Sequence, residues 1–140
     1  MKRTGLLLAI VTIVFALAFA ACKKDKDPEP AAKDYRDAWV GGYFYNLRFS
    51  YWDPDTSYVN HYSGTLSVTS VGDKFVGIQL SDSTRYWLCE VSNDGNLTFI
   101  EGNSYWREFE GSFPKSDSLY LDCANYSPGA GARLTYKCNR

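Results

Sequence analysis

The sequence predicts an all-β domain in which eight short antiparallel strands form a meander closed into a small barrel. Three observations carry that expectation. Apolar and aromatic residues alternate with polar ones at a period of two from Trp39 onward, as half-buried strands do. Turn-forming clusters of Pro, Gly, Asp, Asn and Ser recur at short, even spacing. No segment of this region has the apolar spacing of an amphipathic helix of normal length. A meander removes its exposed edges by closing on itself. Connections short throughout favour that solution over a two-sheet sandwich, and the last strand is free to pair with the first.

The elements follow in order. In the first strand Tyr43, Tyr45, Leu47, Phe49 and Tyr51 alternate with Phe44, Asn46, Arg48 and Ser50. Trp52-Asp53-Pro54-Asp55 ends it, because Pro54 has no N–H for a ladder and Asp favours turns. A second strand covers about 58–68, with Leu66 and Val68 on one face, and Val71-Gly72-Asp73 turns into a third at 74–80. Ser81-Asp82-Ser83 leads to a fourth at 84–91, where Trp87, Cys89 and Val91 compete with Tyr86 and Leu88 for the inward face. Asn93-Asp94-Gly95-Asn96 is the strongest turn signal in the chain, since Asp-Gly suits positive φ. Strands are expected at 97–101, 105–113, 118–123 and 132–138, separated by Gly102-Asn103-Ser104, Pro114-Lys115-Ser116-Asp117 and Pro128-Gly129-Ala130-Gly131.

Ahead of this domain, Lys2 and Arg3 precede an apolar run from Leu6 to Ala21 that ends in Phe19-Ala20-Ala21-Cys22. The run falls short of the roughly 20 residues a spanning helix needs. A positive start, a short apolar core and a small-residue end form the plan of a signal peptide. The last four residues resemble the lipobox of bacterial lipoproteins. That resemblance implies a signal peptide over 1–21, a lipid on Cys22, and a mature protein held to a membrane through it. Residues 22–37 are charged, contain Pro28 and Pro30, and have no apolar period, so they are expected to form a solvated tether. The tether is similar to those of lipoproteins in the Bacteroidetes group. The expected location is the cell envelope, on the outer membrane, at its periplasmic face or the cell surface. The barrel domain is expected over 38–140.

Charge excludes one partner class. From Ala31 onward ten Lys and Arg stand against thirteen Asp and Glu, which is no footprint for nucleic acid. Aromatic residues are abundant, with 11 Tyr, 8 Phe and 4 Trp, so the core is expected to contain many rings whose polar tips reach water or a partner. Outside the cytoplasm disulfides persist. Cys123 and Cys138, near the ends of the last two strands, are the candidate pair; the other pairings with Cys89, or three buried thiols, stay open.

Enzyme chemistry finds little support. His61 is the one histidine and no Cys-x-x-Cys spacing occurs, so no metal site and no cofactor are expected. Asp53 and Asp55 belong to a turn, and Glu108 and Glu110 share the expected solvent face of strand six, so neither pair reads as a raised-pKa acid. Gly129-Ala130-Gly131 lacks the lysine and helix of a phosphate loop.

Trp39-Val40-Gly41-Gly42-Tyr43 resembles the start of lipocalin-like domains, with Tyr43 where that family sets a tryptophan. The resemblance implies a small barrel and an arginine of the last strand over that ring, for which Arg133 is the candidate. The size and expected location are also similar to those of the membrane-bound inhibitors of C-type lysozyme. In the stretch nearest their reactive loop, Ala130-Gly131-Ala132-Arg133-Leu134, Ala130 stands for the serine and Leu134 for the tyrosine. Inhibition of a cell-wall-degrading or host enzyme, and a structural envelope role, are therefore the alternatives.

Binding of a small molecule, glycan or protein is the function the residues suggest. With so many aromatics inward, the lumen is expected to be mostly filled, leaving a mouth or an outer aromatic patch for a ligand. The candidates are Tyr45, Tyr51 and Trp52, on or just after the aromatic face of strand one, and Arg107. Arg107 shares a face with Tyr105 and Phe109, so it is expected to point into the barrel, where an unpaired charge is costly. There it would pair with Asp122 or Glu90, stack on an inward tyrosine, or offer donors to an anionic ligand.

Overall fold

The computed structural model describes residues 33–102 and 106–140. The signal peptide and Cys22 lie outside the described residues. Eight antiparallel strands run in sequence order and close into a barrel: β1 (Gly41–Trp52), β2 (Ser57–Val71), β3 (Phe75–Leu80), β4 (Tyr86–Val91), β5 (Asn96–Gly102), β6 (Glu108–Lys115), β7 (Ser118–Ser127) and β8 (Ala130–Asn139). The expected meander and its closure by β8 on β1 are both present, with Tyr45 opposite Cys138 and Tyr51 opposite Ala132. Such a barrel is compatible with a lipocalin-like fold.

Alternation sets the core. Tyr43, Tyr45 and Leu47 from β1, Leu66 and Val68 from β2, and Leu134, Tyr136 and Cys138 from β8 are buried, while their strand neighbours face out. β4 turns Trp87, Cys89 and Val91 inward, and all three are fully or nearly fully buried. Trp87, Tyr43 and Tyr136 are the largest side chains in the filled part of the lumen.

The strand ends divide into two ends of the barrel. At one end a short 3₁₀ turn, Tyr35–Ala38, plugs the lumen. Asp34 caps this turn by accepting from the Arg36 N–H, and also forms an ion pair with the Arg36 guanidinium. That guanidinium is only 5 % exposed and donates to the carbonyls of Phe75 (2.8 Å) and Val71 (3.3 Å). Trp39 stacks on Phe113 with centroids 5.2 Å apart, and the Tyr35 hydroxyl donates to the Val91 carbonyl at 2.9 Å. The packed unit therefore begins at Lys33. Asp34 to Asp37, expected in the tether, belong to it because a buried arginine must be fully paired to be tolerated.

Turn chemistry explains the remaining boundaries. Gly95 takes φ +81° in the Ser92–Asn96 turn, a conformation open to glycine at little cost. Pro114 sits where the β6–β7 register shifts between Ser112 and Lys115, a bulge that tolerates a missing N–H. The β7–β8 hairpin is tighter than expected: Pro128 and Gly129 alone connect it, and β8 starts at Ala130. The stretch compared with an inhibitor loop is consequently strand, paired with both β7 and β1. The seam between β5 and β6 is short, with only Asn96–Ser112 and Leu97–Gly111 in register. Beyond it Phe99 packs on Phe109 at 5.4 Å.

The three described cysteines are free, buried thiols. The candidate pair fails on register: Cys138 faces Leu119 and Cys123 faces Leu134. Four residues of strand put them about 13 Å apart at roughly 3.3 Å per residue, beyond the roughly 7 Å a disulfide spans. Burial pushes each thiol up to about 12, so they serve as small hydrophobes.

Candidate functional site

The end of the barrel opposite the plug is open. There β2 outruns β3, pairing with it only from Leu66 to Val71, while Ser57–Thr65 continues alongside β1. The alternation that buries Leu66 and Val68 brings Tyr58, Asn60 and Tyr62 to the same face higher up. In register they oppose Tyr51, Phe49 and Leu47. A cavity of about 600 Å³ opens there, walled by Leu47, Phe49, Tyr62, Trp106 and Leu134, with Arg85 beside them. Tyr62 is 52 % exposed. The volume falls within the roughly 300–1,000 Å³ of small-molecule sites.

The floor is a ring of aromatic side chains. Tyr136 meets Tyr45 edge-on at 5.4 Å and Trp87 at 5.5 Å. The Tyr45 hydroxyl donates to Asp82 at 2.8 Å. Burial first, then the Asp82 carboxylate, push the Tyr45 phenol up to about 12. Burial also raises Tyr136, although Arg85 works against the rise. Both phenols stay protonated across the physiological range. Arg85, in phase with Trp87 one step nearer the mouth, donates to the Tyr136 hydroxyl at 2.6 Å.

The sequence candidates scatter. Tyr45 is 3 % exposed; it is floor and core, and a ligand in the mouth does not reach its ring without displacing the layer above. Tyr51 stays at the rim, stacked on Tyr58 at 5.2 Å with its hydroxyl donating to Asp53. Trp52 leaves the mouth altogether. It falls on the outward phase of β1, and its ring lies over Gly131, where an added Cβ would meet it at 2.4 Å.

Arg107 likewise does not enter the lumen. β6 begins only at Glu108, so alternation counted from 105 does not apply to Arg107, which sits in a bend. It is exposed, with its guanidinium 5.5 Å from the Tyr126 ring centroid. Neither expected acid serves it: Asp122 pairs with Arg133 at 3.1 Å and Glu90 with Lys74 at 3.7 Å. Glu108 accepts from Tyr126 at 2.7 Å and from Arg133 at 3.2 Å. The exposed Arg133–Glu108 pair is worth little energetically.

Arg133 is thus not the arginine over Tyr43. Arg140 holds that place, 5.0 Å from the ring centroid and donating to the Val40 carbonyl. Tyr43 donates to the Trp39 carbonyl at 2.7 Å, so ring, cation and plug form one unit at the closed end. His61 is exposed on the outer face of β2, opposite Arg48. Among the described residues no cluster of His, Cys, Asp and Glu could hold a metal.

Sequence reasoning missed Arg85, Trp106 and Tyr62. The signals were present: Arg85 is in phase with Trp87, Cys89 and Val91, and Tyr62 with Leu66 and Val68. No protein-family model matches the sequence, and no curated protein or solved structure matches it.

Proposed function

We propose that the barrel is a non-enzymatic binding module that takes a small apolar molecule in its open mouth, held at the cell envelope by a lipid on Cys22. The observation that carries this reading is the contrast between the two ends. The lumen is filled by Trp87, Tyr43 and Tyr136 and plugged by Trp39 and Arg36, yet its other end keeps an aromatic-walled cavity of about 600 Å³. Apolar walls that remain wet lose stabilisation of about 25 cal/mol per Å², so an unfilled cavity of this kind favours a ligand that covers it.

The test uses N-phenyl-1-naphthylamine, a neutral dye whose emission rises in apolar sites. The protein should bind it saturably, and Ala132→Trp, which fills the cavity from β8, should abolish binding while leaving the barrel folded. Equal binding by both proteins, or no binding by either, would overturn the reading.

A further inference from the structure

If the mouth is where a ligand binds, as proposed above, its polar groups specify one end of that ligand. We propose that Arg85 forms a carboxylate subsite on the wall of the mouth, and that the ligand is a monocarboxylate with a flat apolar body.

Among the described residues Arg85 is the one charged residue lining the cavity. Among the described residues it makes no ion pair. Its side chain donates to a neutral acceptor, the Tyr136 hydroxyl at 2.6 Å, which leaves most of the five N–H groups of its fork for another acceptor. Asp82, the acid of the same loop, accepts from Tyr45 at 2.8 Å and is not among the residues lining the cavity. The Tyr136 hydroxyl is fully buried, so it holds the guanidinium from behind and does not line the cavity.

Among the described residues a guanidinium with no ion pair is the one charge on an aromatic-walled cavity, so the group it suits is an acceptor with negative charge. A guanidinium fork matches a carboxylate in plane and spacing. A phosphate dianion would bring a second charge that one arginine does not neutralise. The aromatic walls formed by Phe49 and Tyr62 then cover the apolar body.

The test compares 2-naphthoate with 2-naphthamide, which share shape and differ in charge, by calorimetric titration of the full protein. The wild type should bind the acid about 10- to 100-fold more tightly, the range one charged hydrogen bond supplies. Arg85→Met should lose that preference and bind both at the level of the amide. Equal affinity of the wild type for acid and amide would overturn the carboxylate subsite and leave the mouth reading standing. Binding of neither, together with failure of the neutral dye, would overturn both. Retention of the preference in Arg85→Met would show that the charge is read elsewhere and would also overturn the assignment.

Discussion

Gly64→Ala and Gly42→Ala place the same methyl group on adjacent strands and should change stability in opposite directions. Gly64 lies opposite Tyr45 in the β1–β2 ladder. A Cβ there would stand 2.6 Å from the Tyr45 hydroxyl oxygen, 2.7 Å from Cζ and 2.9 Å from Cε1. The ring has little room to retreat, because Asp82 holds its hydroxyl and Tyr136 backs it at 5.4 Å. Overpacking of this kind costs about 1–3 kcal/mol. Replacing a strand glycine returns about 0.5–1 kcal/mol of backbone entropy. The net expectation for Gly64→Ala is a loss of about 0.5–2 kcal/mol, which lowers Tm by about 2–10 °C in a domain of this size. At Gly42 nothing lies within 4 Å of the added carbon, so Gly42→Ala should stabilise by about 0.5–1 kcal/mol. Thermal melts followed by circular dichroism, with urea titrations as a check, measure both. Combining Gly64→Ala with Tyr45→Val should remove the clash, making the alanine neutral or favourable in that background. A Gly64→Ala protein as stable as Gly42→Ala would refute the placement of Tyr45 as a fixed floor.

Gly95→Ala should cost more than Gly64→Ala, since φ +81° and a Cβ 2.8 Å from the Phe113 carbonyl oxygen oppose it together; a melt within 1 °C of wild type would contradict this. Cys89, Cys123 and Cys138 should resist a thiol reagent at pH 8 in the folded protein and react fully in urea, because burial keeps them protonated; rapid reaction of the native protein would refute their burial. Asp34 is held below its ordinary range, first by the Arg36 side chain and then by the Arg36 N–H. Its contribution to stability is therefore complete above the unfolded value of about 3.9 and fades as pH falls through the lower folded value. The stability gap between wild type and Asp34→Asn should be flat near neutrality and narrow in acid; a gap constant down to pH 2 would contradict the pairing.

How much of this was legible in the sequence follows from where alternation holds. β1 could be read face by face because Tyr43, Tyr45, Leu47, Phe49 and Tyr51 recur at every second position, with Phe44 the one apolar residue on the other face up to Ser50. β4 could not, since Trp87, Cys89 and Val91 on one face and Tyr86 and Leu88 on the other are all apolar. Only the closed barrel decides that the first set is inward, and that decision is what delivers Arg85 to the mouth. Arg107 was misplaced for the opposite reason: alternation was carried past the true start of β6 into a bend. Trp52 is expected just past the end of strand one, whereas β1 extends through it and turns it onto Gly131. The plug was hidden because Asp34, Arg36 and Asp37 are charged, and composition alone does not distinguish a solvated charge from one held by backbone carbonyls.

Nuclear magnetic resonance mapping of N-phenyl-1-naphthylamine on the protein tests the open mouth most directly. Shifts should concentrate at Leu47, Phe49, Tyr62, Trp106 and Leu134, with Trp39 and Phe113 at the plugged end unmoved. Shifts centred instead on Trp52, Tyr126 and Arg133 of the outer face, or on the plug, would contradict the mouth as the binding site.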